Sequence, residues 1–318
     1  AVFLLQSGVQ EYTMSIVTNT QLTDRALSEG YAVPAFNVEN LEYLQAVLQA
    51  ASETGSPIIV AAAQVELDYM GGRVFVDMVR SLASELSVPV SIHLDHGPSF
   101  EDAMRAIRYG FTSVMYDGSA LPLEENIANT KRVVSAAHAC GVSVEGEIGV
   151  IGGEAEAGDE QADGTGDAAG TPERTGAPEG LAPPAAALAD PDQCERFVTE
   201  TGVDSFAAAI GNVHGFYRGE PNLQFELLAE IERRTGVPLV LHGGTGIPVD
   251  DIRKAIRLGV SKINFGTGMR SSFIRTLRET LATNTDDTDL MGILGAGREA
   301  MVSVAKSLIE MCMSDGKT

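Results

Sequence analysis

The chain has 318 residues, of which 44% are hydrophobic and 21% are charged, a composition typical of a globular protein with a large core. Its formal net charge is −22 at pH 7, so we expect neither nucleic acid nor an anionic membrane as a partner. No apolar stretch is long enough to span a bilayer, and three scattered cysteines without a CxxC motif predict a reducing, cytoplasmic location.

Lysine is scarce in this acidic chain, with only five in the whole sequence. Salt screens repulsion between like charges over a short Debye length, so the composition predicts a halophilic protein of a salt-rich cytoplasm. The alternative is an ordinary acidic composition from a GC-rich genome. Residues 1–13 precede Met14 and predict an N-terminal extension that is not part of the fold.

From residue 14 to 318, apolar runs of strand length alternate with segments of helical periodicity. Strands are predicted at 32–38, 57–63, 88–96, 113–117, 142–149, 205–210, 238–242 and 261–265. Helices are predicted at 20–29, 39–51, 74–86, 100–109, 123–140, 191–201, 223–235, 248–258, 269–283 and 293–313. This alternation favours an α/β fold of one domain, a (β/α)8 TIM barrel with its catalytic groups at the carboxyl ends of the strands. A doubly wound sheet is the alternative, but it would less naturally collect polar groups from so many strands.

Residues 150–189 interrupt the alternation, because they are rich in Gly, Ala, Pro and acidic residues and contain Arg174 as their one base. Such a composition predicts a long mobile loop. Since the loop leaves the carboxyl end of the fifth predicted strand, it could be a lid over a site, or a dispensable insertion.

Three histidines lie at the ends of predicted strands. Asp95 and His96 end the third strand before Gly97-Pro98, and His214 and His242 each follow an apolar run and precede glycine. Three histidines at three strand ends predict a zinc site with an open position, and Asp95 is a candidate general base. For the Asp95–His96 pair alone, a structural role is an equally good interpretation: the two side chains could simply form hydrogen bonds with backbone amides of the loop.

Glycine-rich turns follow the last two predicted strands. His242-Gly-Gly-Thr-Gly246 and Asn264-Phe-Gly-Thr-Gly268 both place small residues beside a hydroxyl, as in the phosphate cradle of many barrels. Arg270 could bind a second phosphate through a bidentate contact, or form a surface salt bridge.

Acidic residues of the fourth and fifth predicted strands lie close to the same strand ends. Glu145 and Glu147 share one face of their strand, and Asp117 ends the preceding one. They could orient the histidines, or provide a second metal position through Asp117 and Glu147, or form a structural polar cluster. His93 could support the site from the interior, and His138 is expected to be structural.

Several motifs, in this order along the chain, resemble the zinc-dependent class II ketose-bisphosphate aldolases, and they are most similar to the fructose- and tagatose-bisphosphate branch. The motifs are His93-Leu-Asp-His-Gly97, Asp117-Gly-Ser119, Glu124-Glu-Asn126, Val144-Glu-Gly-Glu-Ile-Gly149, Gly152-Gly153, Ala209-Ile-Gly-Asn-Val-His-Gly215, Leu241-His-Gly-Gly-Thr-Gly246 and Lys262-Ile-Asn-Phe-Gly-Thr267.

The resemblance implies reversible cleavage of fructose 1,6-bisphosphate into dihydroxyacetone phosphate and glyceraldehyde 3-phosphate, in glycolysis and gluconeogenesis. It implies one catalytic Zn2+ bound by His96, His214 and His242, and it leaves open whether a monovalent cation binds as well. It also implies Asp95 as the acid/base on the C4 hydroxyl. A homo-oligomer, dimer or tetramer, is also implied. The substrate-binding positions that it implies are Asn37, Gly215, Gly243, Thr245, Asn264, Thr267 and Arg270.

Four positions depart from the family's pattern. Thr245 replaces a serine but keeps its hydroxyl, Ala63 replaces a frequent serine, and Gly266 stands where many fructose-specific members have aspartate. In the loop, Ala155 occupies the position of the catalytic glutamate. We therefore expect a neighbouring carboxylate to act as the base there, Glu156 in preference to Glu154.

Other functions remain open at this point. A tagatose-bisphosphate or related ketose-phosphate aldolase would share these motifs, and a Schiff-base aldolase would need a buried lysine, for which Lys262 is the candidate. A zinc hydrolase could use Asp95 as a base for water. A sugar-phosphate-binding homologue without turnover is the non-catalytic alternative.

Overall fold

The structure, a computed structural model, describes residues 16–151, 188–217, 219–283 and 288–318. The strands of this part are β1 Ile16–Val17, β2 Val33–Asn37, β3 Ile58–Ala62, β4 Val90–Gly97, β5 Ser113–Tyr116, β6 Ser143–Ile148, β7 Ser205–Ala208, β8 Leu239–Leu241 and β9 Val260–Phe265. Its helices are α1 Asn19–Glu29, α2 Leu41–Thr54, α3 Gln64–Met70, α4 Gly72–Ala83, α5 Phe100–Tyr109, α6 Leu123–Ala139, α7 Pro191–Thr201, α8 Phe225–Thr235, α9 Val249–Arg257, α10 Thr267–Thr283 and α11 Leu290–Met311.

Strands β2 to β9 form a closed parallel barrel. Each pairs with its neighbours in chain order, β2 pairs with β9, and the pairing of β4 with β5 leaves no break in the sheet. The crossover helices cover the outside, so each strand is buried on both faces, as in β3, whose five residues are all buried. The predicted (β/α)8 barrel is confirmed, and the doubly wound alternative is wrong.

The amino end of the barrel is closed by β1 and α1. Ile16 and Val17 pair with the start of β4, and the Thr112 hydroxyl donates to the Val17 carbonyl at 2.7 Å. Helix α1 then begins with a capping box at Thr18, and its first residue, Asn19, is buried. The sequence did not predict β1, because two residues carry no periodicity.

Capping residues fix several of the helix boundaries. Asn40 and Ser99 accept backbone N–H groups at the starts of α2 and α5, and Gly55 and Gly202 end α2 and α7 in the left-handed conformation. Helix α3 was not predicted, because it is one short stretch between an apolar strand and the Gly71–Gly72 pair.

The expectations for residues 1–13 and for most of the loop at 150–189 lie outside the described residues and stay predictions. In the part of the chain that the structure describes, no helix is long and apolar enough to cross a membrane.

Candidate active site

Strand β4 changes register at its carboxyl end, where Asp95 and His96 lie. Its pairing with β5 shifts between Leu94 and Gly97, and His96 has a φ of 44°, in the left-handed region that non-glycine residues rarely occupy. A bulge of this kind breaks the alternation of side chains along a strand. Asp95 and His96 can therefore face the same pocket although they are adjacent in the chain.

The three histidines converge at this end of the barrel. His96 Nε2 lies 3.1 Å from His242 Nδ1, and the His214 ring centroid lies 4.9 Å and 5.6 Å from those of His96 and His242. One ligand nitrogen from each ring lies within 4.8 Å of the others. Tetrahedral zinc with bonds of 2.0–2.1 Å separates its ligand nitrogens by about 3.3 Å, so these residues fit zinc.

Carboxylates contact the outer nitrogens of two of these rings. His96 Nδ1 bonds Asp117 Oδ2 at 2.8 Å, and His242 Nε2 bonds Glu145 Oε1 at 3.1 Å. Each ring can therefore donate its outer N–H to a carboxylate, and the nitrogen that faces the other ring is then the one that a metal ion would bind. Metal-binding histidines in proteins commonly have this arrangement, and it leaves His96 Nε2 and His242 Nδ1 as the nitrogens that could face a metal ion.

The electrostatic surroundings of the histidines also favour a cation. Burial lowers the pKa of His96, but Asp95 and Asp117 together raise it to about 10. Burial and the neighbouring His96 lower the pKa of His214 to about 3, and they also lower the pKa of His242. In the absence of a metal, His96 thus holds a proton at neutral pH beside neutral His214 and His242. The carboxylates stabilise positive charge at the centre of the site, and a bound cation would take the place of that proton.

Asp95 is held by two amide groups. Asn37 Nδ2 donates to Asp95 Oδ2 at 2.8 Å, and Asn264 Nδ2 lies 3.0 Å and 3.1 Å from its two oxygens. Burial raises the pKa of Asp95, but His96, His242 and Lys262 outweigh it and keep the pKa well below its usual range. Asp95 is therefore an oriented carboxylate that can accept a proton. The sequence placed Asn37 and Asn264 near a substrate and missed their contact with Asp95.

Two residues that the sequence analysis missed connect the loops that carry His214 and His242. Asn212 Nδ2 donates to the His242 carbonyl at 3.1 Å, and the Tyr217 hydroxyl, which accepts from Val213 N, donates to the Gly243 carbonyl at 3.3 Å. A Cβ on Gly243 would lie 1.9 Å from the Val213 carbonyl oxygen, so only glycine allows this approach. Asn212 lies within the motif Ala209–Gly215, so the sequence contained a signal for it, whereas Tyr217 lies beyond that motif and had none.

Beneath the histidines, the barrel interior contains a fully buried cluster of charged and polar residues. Lys262 Nζ donates to Glu145 Oε2 at 2.7 Å and Oε1 at 2.9 Å, and it lies 3.1 Å from His93 Nε2. These three acceptors use all the N–H groups of the ammonium, which leaves no lone pair for attack on a carbonyl. The cluster therefore does not support the Schiff-base alternative.

Comparison with known proteins places the chain in a family. The family model described as fructose-bisphosphate aldolase class-II matches residues 17–317. The chain belongs to this family. The family's reaction is the reversible cleavage of fructose 1,6-bisphosphate into dihydroxyacetone phosphate and glyceraldehyde 3-phosphate, and the predicted aldehyde-lyase is confirmed.

Two relatives and one solved structure are similar over nearly their whole lengths. A probable fructose-bisphosphate aldolase of Bacillus subtilis is 46% identical over 91% of this chain and 94% of its own. A 6-phospho-5-dehydro-2-deoxy-D-gluconate aldolase of Halalkalibacterium halodurans is 42% identical over 96% and 98% of the two chains. The crystal structure of the YdjI aldolase of Escherichia coli K12 covers 95% of this chain and 99% of its own, with 33% identity and a TM-score of 0.79.

The predicted phosphate-binding residues of the aldolase lie where the loops after β8 and β9 meet. Gly268 N approaches the Thr245 hydroxyl at 3.4 Å, Gly243 has a φ of 69°, and Gly215 on the neighbouring loop has a φ of 84°. Positive φ values at glycines expose backbone N–H groups to an anion. These positions therefore form a candidate cradle for one phosphate.

Arg270 is the predicted binder of a distal phosphate, and in the aldolase it lies at the start of α10. Its Nη2 is 3.4 Å from the Thr267 hydroxyl, and its Nη1 is 3.3 Å from Glu39 Oε1. Arg270 also lines a cavity of about 510 Å³ between α2, α3 and α10.

The predicted second metal position is a close group of three side chains. Ligand atoms of His96, Asp117 and Glu147 lie within 4.8 Å of one another, and Ser119 donates to the other Asp117 oxygen at 2.6 Å. Burial, together with Asp117, raises the pKa of Glu147 well above its usual range, and its Oε2 has no hydrogen-bond partner. Asp117 thus clearly orients a histidine. Glu156, the predicted loop base, lies outside the described residues.

Proposed function

We propose that this aldolase cleaves fructose 1,6-bisphosphate with a catalytic Zn2+ held by His96, His214 and His242. The facing nitrogens of His96 and His242, each backed by a carboxylate, carry this proposal. When bound by these residues, zinc would supply a Lewis acid for the negative charge that develops on the ketose during cleavage.

We propose that Asp95 accepts the proton of the C4 hydroxyl. Its two oxygens are fixed by Asn37 and Asn264, so the carboxylate needs little reorganisation when the proton arrives. As this proton leaves, the C4 oxygen becomes the carbonyl oxygen of the aldehyde half, the C3–C4 bond breaks, and its electron pair passes to the dihydroxyacetone half.

The remaining substrate contacts follow the two halves of the ketose. Gly215, Gly243, Thr245, Asn264 and Thr267 are proposed to bind the dihydroxyacetone phosphate half, and Arg270 the distal phosphate. Glu156 is proposed to donate a proton to the carbon of the dihydroxyacetone half that the cleavage leaves negatively charged. A second metal ion at Asp117 and Glu147, or a monovalent cation, is also proposed. It would stabilise negative charge on the substrate in the same way as zinc.

The second candidate substrate is tagatose 1,6-bisphosphate or a related ketose phosphate. Two observations favour it: Gly266 stands where many fructose-specific members have aspartate, and a 42% identical relative bears the name of another aldolase. The two bisphosphates differ at C4, where Asp95 acts, so the same machinery could serve either epimer.

The deciding experiment is cleavage of fructose and tagatose bisphosphates by the purified enzyme, before and after EDTA and with zinc restored. A coupled triose-phosphate assay should give turnover with fructose bisphosphate that EDTA abolishes and zinc recovers. Turnover that survives EDTA would contradict the metal assignment. Absence of turnover with every ketose bisphosphate, in zinc-loaded protein, would favour a sugar-phosphate-binding homologue.

We also propose, on the resemblance alone, that the enzyme is a homo-oligomer, a dimer or tetramer, of the cytoplasm. Its role in glycolysis and gluconeogenesis is proposed on the same ground. Light scattering of the purified protein measures the first of these directly.

A further inference from the structure

Lys262 is a charged residue of β9 in the middle of the barrel, with no exposed surface. Its ammonium contacts both oxygens of Glu145, at 2.7 Å and 2.9 Å, and Nε2 of His93 at 3.1 Å. The same Glu145 Oε1 accepts from His242 Nε2 at 3.1 Å. Lys262 is therefore one carboxylate away from a proposed zinc ligand.

We infer that Lys262 is a positioning residue for the metal: it fixes Glu145 so that His242 presents Nδ1 to the zinc. This inference rests on the proposed assignment of His242 as a zinc ligand. Lys262 touches neither metal nor substrate in this role, and it acts only through the carboxylate.

The bond pattern explains why the carboxylate cannot turn. If the Glu145 carboxylate accepted a hydrogen bond only from His242, it could rotate about its side-chain torsions. Lys262, which lies on β9, donates to both of its oxygens and prevents this rotation. Any rotation would break a charge-assisted bond between fully buried groups, where such bonds are strong. The fixed orientation of the Glu145 carboxylate in turn fixes the orientation of the His242 ring, which donates to it.

His93 anchors Lys262 in turn. When the ammonium donates to His93 Nε2, the His93 proton lies on Nδ1, which is 2.8 Å from the Ser113 hydroxyl and 3.2 Å from the Asn19 side-chain amide. Asn19 Oδ1 is buried and has no other hydrogen-bond partner. If the Asn19 amide is oriented with Oδ1 toward His93 Nδ1, this oxygen accepts the N–H of His93. The chain of contacts thus runs from α1, at the closed end of the barrel, to the zinc site.

Electrostatics and positioning predict opposite effects of removing Lys262, which makes the inference testable. Loss of a positive charge near a divalent cation would by Coulomb's law tighten zinc binding. Loss of a positioning residue would weaken zinc binding, because the His242 ring loses its fixed acceptor. Outer partners of metal-binding histidines typically contribute about tenfold to a hundredfold in affinity.

The main test is the charge-balanced variant Lys262→Met/Glu145→Gln, which removes both charges of the pair together and retains an amide oxygen as a possible acceptor. Replacing a buried ion pair by neutral groups is often tolerated, so we expect a folded barrel. Zinc affinity, measured by competition with a chromophoric chelator, should fall about tenfold to a hundredfold. The visible spectrum of the cobalt-substituted variant should shift, because it reports ligand geometry.

Two further variants complete the design. Lys262→Met alone should also weaken zinc binding, whereas Lys131→Met, which removes an exposed lysine paired with Glu200, should leave zinc affinity and the cobalt spectrum unchanged. Zinc affinity within about twofold of wild type in the charge-balanced variant, or tighter zinc binding in Lys262→Met, would overturn the inference. Retention of zinc by His242→Ala would instead contradict the proposed metal site itself, so the two failures are distinguishable.

Discussion

At the scale of single residues, the partners of each side chain decide its chemistry. Asp95 and Glu147 are both almost fully buried carboxyl groups within the same site. Histidines and Lys262 surround Asp95, so its pKa lies well below the usual range despite burial. Burial and the nearby Asp117 raise the pKa of Glu147 instead. One carboxyl is thus suited to accept a proton, and the other is suited to remain neutral or to meet a cation.

The histidine assignment predicts the result of His214→Ala. The residue lies on the loop between β7 and α8 and is only partly buried, so the barrel should remain folded. Loss of one of three ligands should strip stoichiometric zinc and abolish cleavage, as measured by metal analysis and a triose-phosphate assay. The matched control is His138→Ala, which replaces a surface histidine paired with Asp204. This variant should retain both stoichiometric zinc and cleavage activity. Stoichiometric zinc with full activity in His214→Ala would refute the assignment.

Epimer preference can be tested at Gly266. An added Cβ would find its nearest neighbour, Asn37 Cβ, at 3.8 Å, and no positive φ restricts this glycine. Gly266→Asp should therefore fold, place a carboxylate beside Asn37, and raise the kcat/KM ratio of fructose over tagatose bisphosphate. A polar contact to a substrate hydroxyl typically contributes about tenfold or more to such discrimination.

The control for this prediction is Gly266→Ala, which fills the same space without a charge and should leave the ratio near that of the wild type. An unchanged ratio in Gly266→Asp would mean that this position does not select the epimer.

At the scale of elements, sequence periodicity predicted all eight barrel strands, because each is a short apolar run between turn residues. It could not predict the β4 bulge, since a register shift arises only when β4 pairs with β5. The Lys262–Glu145–His93 cluster was missed for a similar reason: its members lie on three strands and meet only across the closed barrel. Three histidines at strand ends were predictable because parallel strands bring their carboxyl ends to one face.

The connection between β6 and α7 contains the predicted loop base. The described parts on either side lie at the carboxyl end of the barrel: Ile151 is buried, and Ala189 N donates to the Ala209 carbonyl at 2.8 Å, close to the loop of His214. The described residues that flank the connection therefore lie at the barrel end that holds the candidate site. Glu156→Gln should slow both turnover and exchange of the substrate carbon's proton in deuterated water by roughly a hundredfold, the usual contribution of a general base.

Zinc content should stay unchanged in Glu156→Gln, and Glu173→Gln, in the same acidic segment, should match the wild type. Glu154→Gln tests the neighbouring carboxylate. If neither Glu156→Gln nor Glu154→Gln alters exchange, the base lies elsewhere.

At the scale of the whole molecule, acidic residues outnumber basic ones two to one, with 44 against 22. Many basic side chains form ion pairs on the surface; Arg196, for example, contacts both Glu124 and Glu200. Exposed pairs of this kind typically contribute about 0–1 kcal/mol each. They cannot neutralise the acidic excess, so we expect repulsion among the remaining carboxylates to destabilise the folded chain at low salt.

The halophilic character stays a prediction, and thermal unfolding in KCl tests it. Between about 0.1 M and 1 M salt the Debye length falls from about 10 Å to about 3 Å, so repulsion between carboxylates is progressively screened. Salt also weakens the surface ion pairs, but a net charge of −22 makes repulsion the larger effect, and the melting temperature of the zinc-loaded enzyme should rise. Screening nears completion by molar salt, whereas stabilisation through exclusion of salt from the surface continues to grow with concentration. A rise that levels off therefore indicates screening, and a flat or falling melting temperature would reject the prediction.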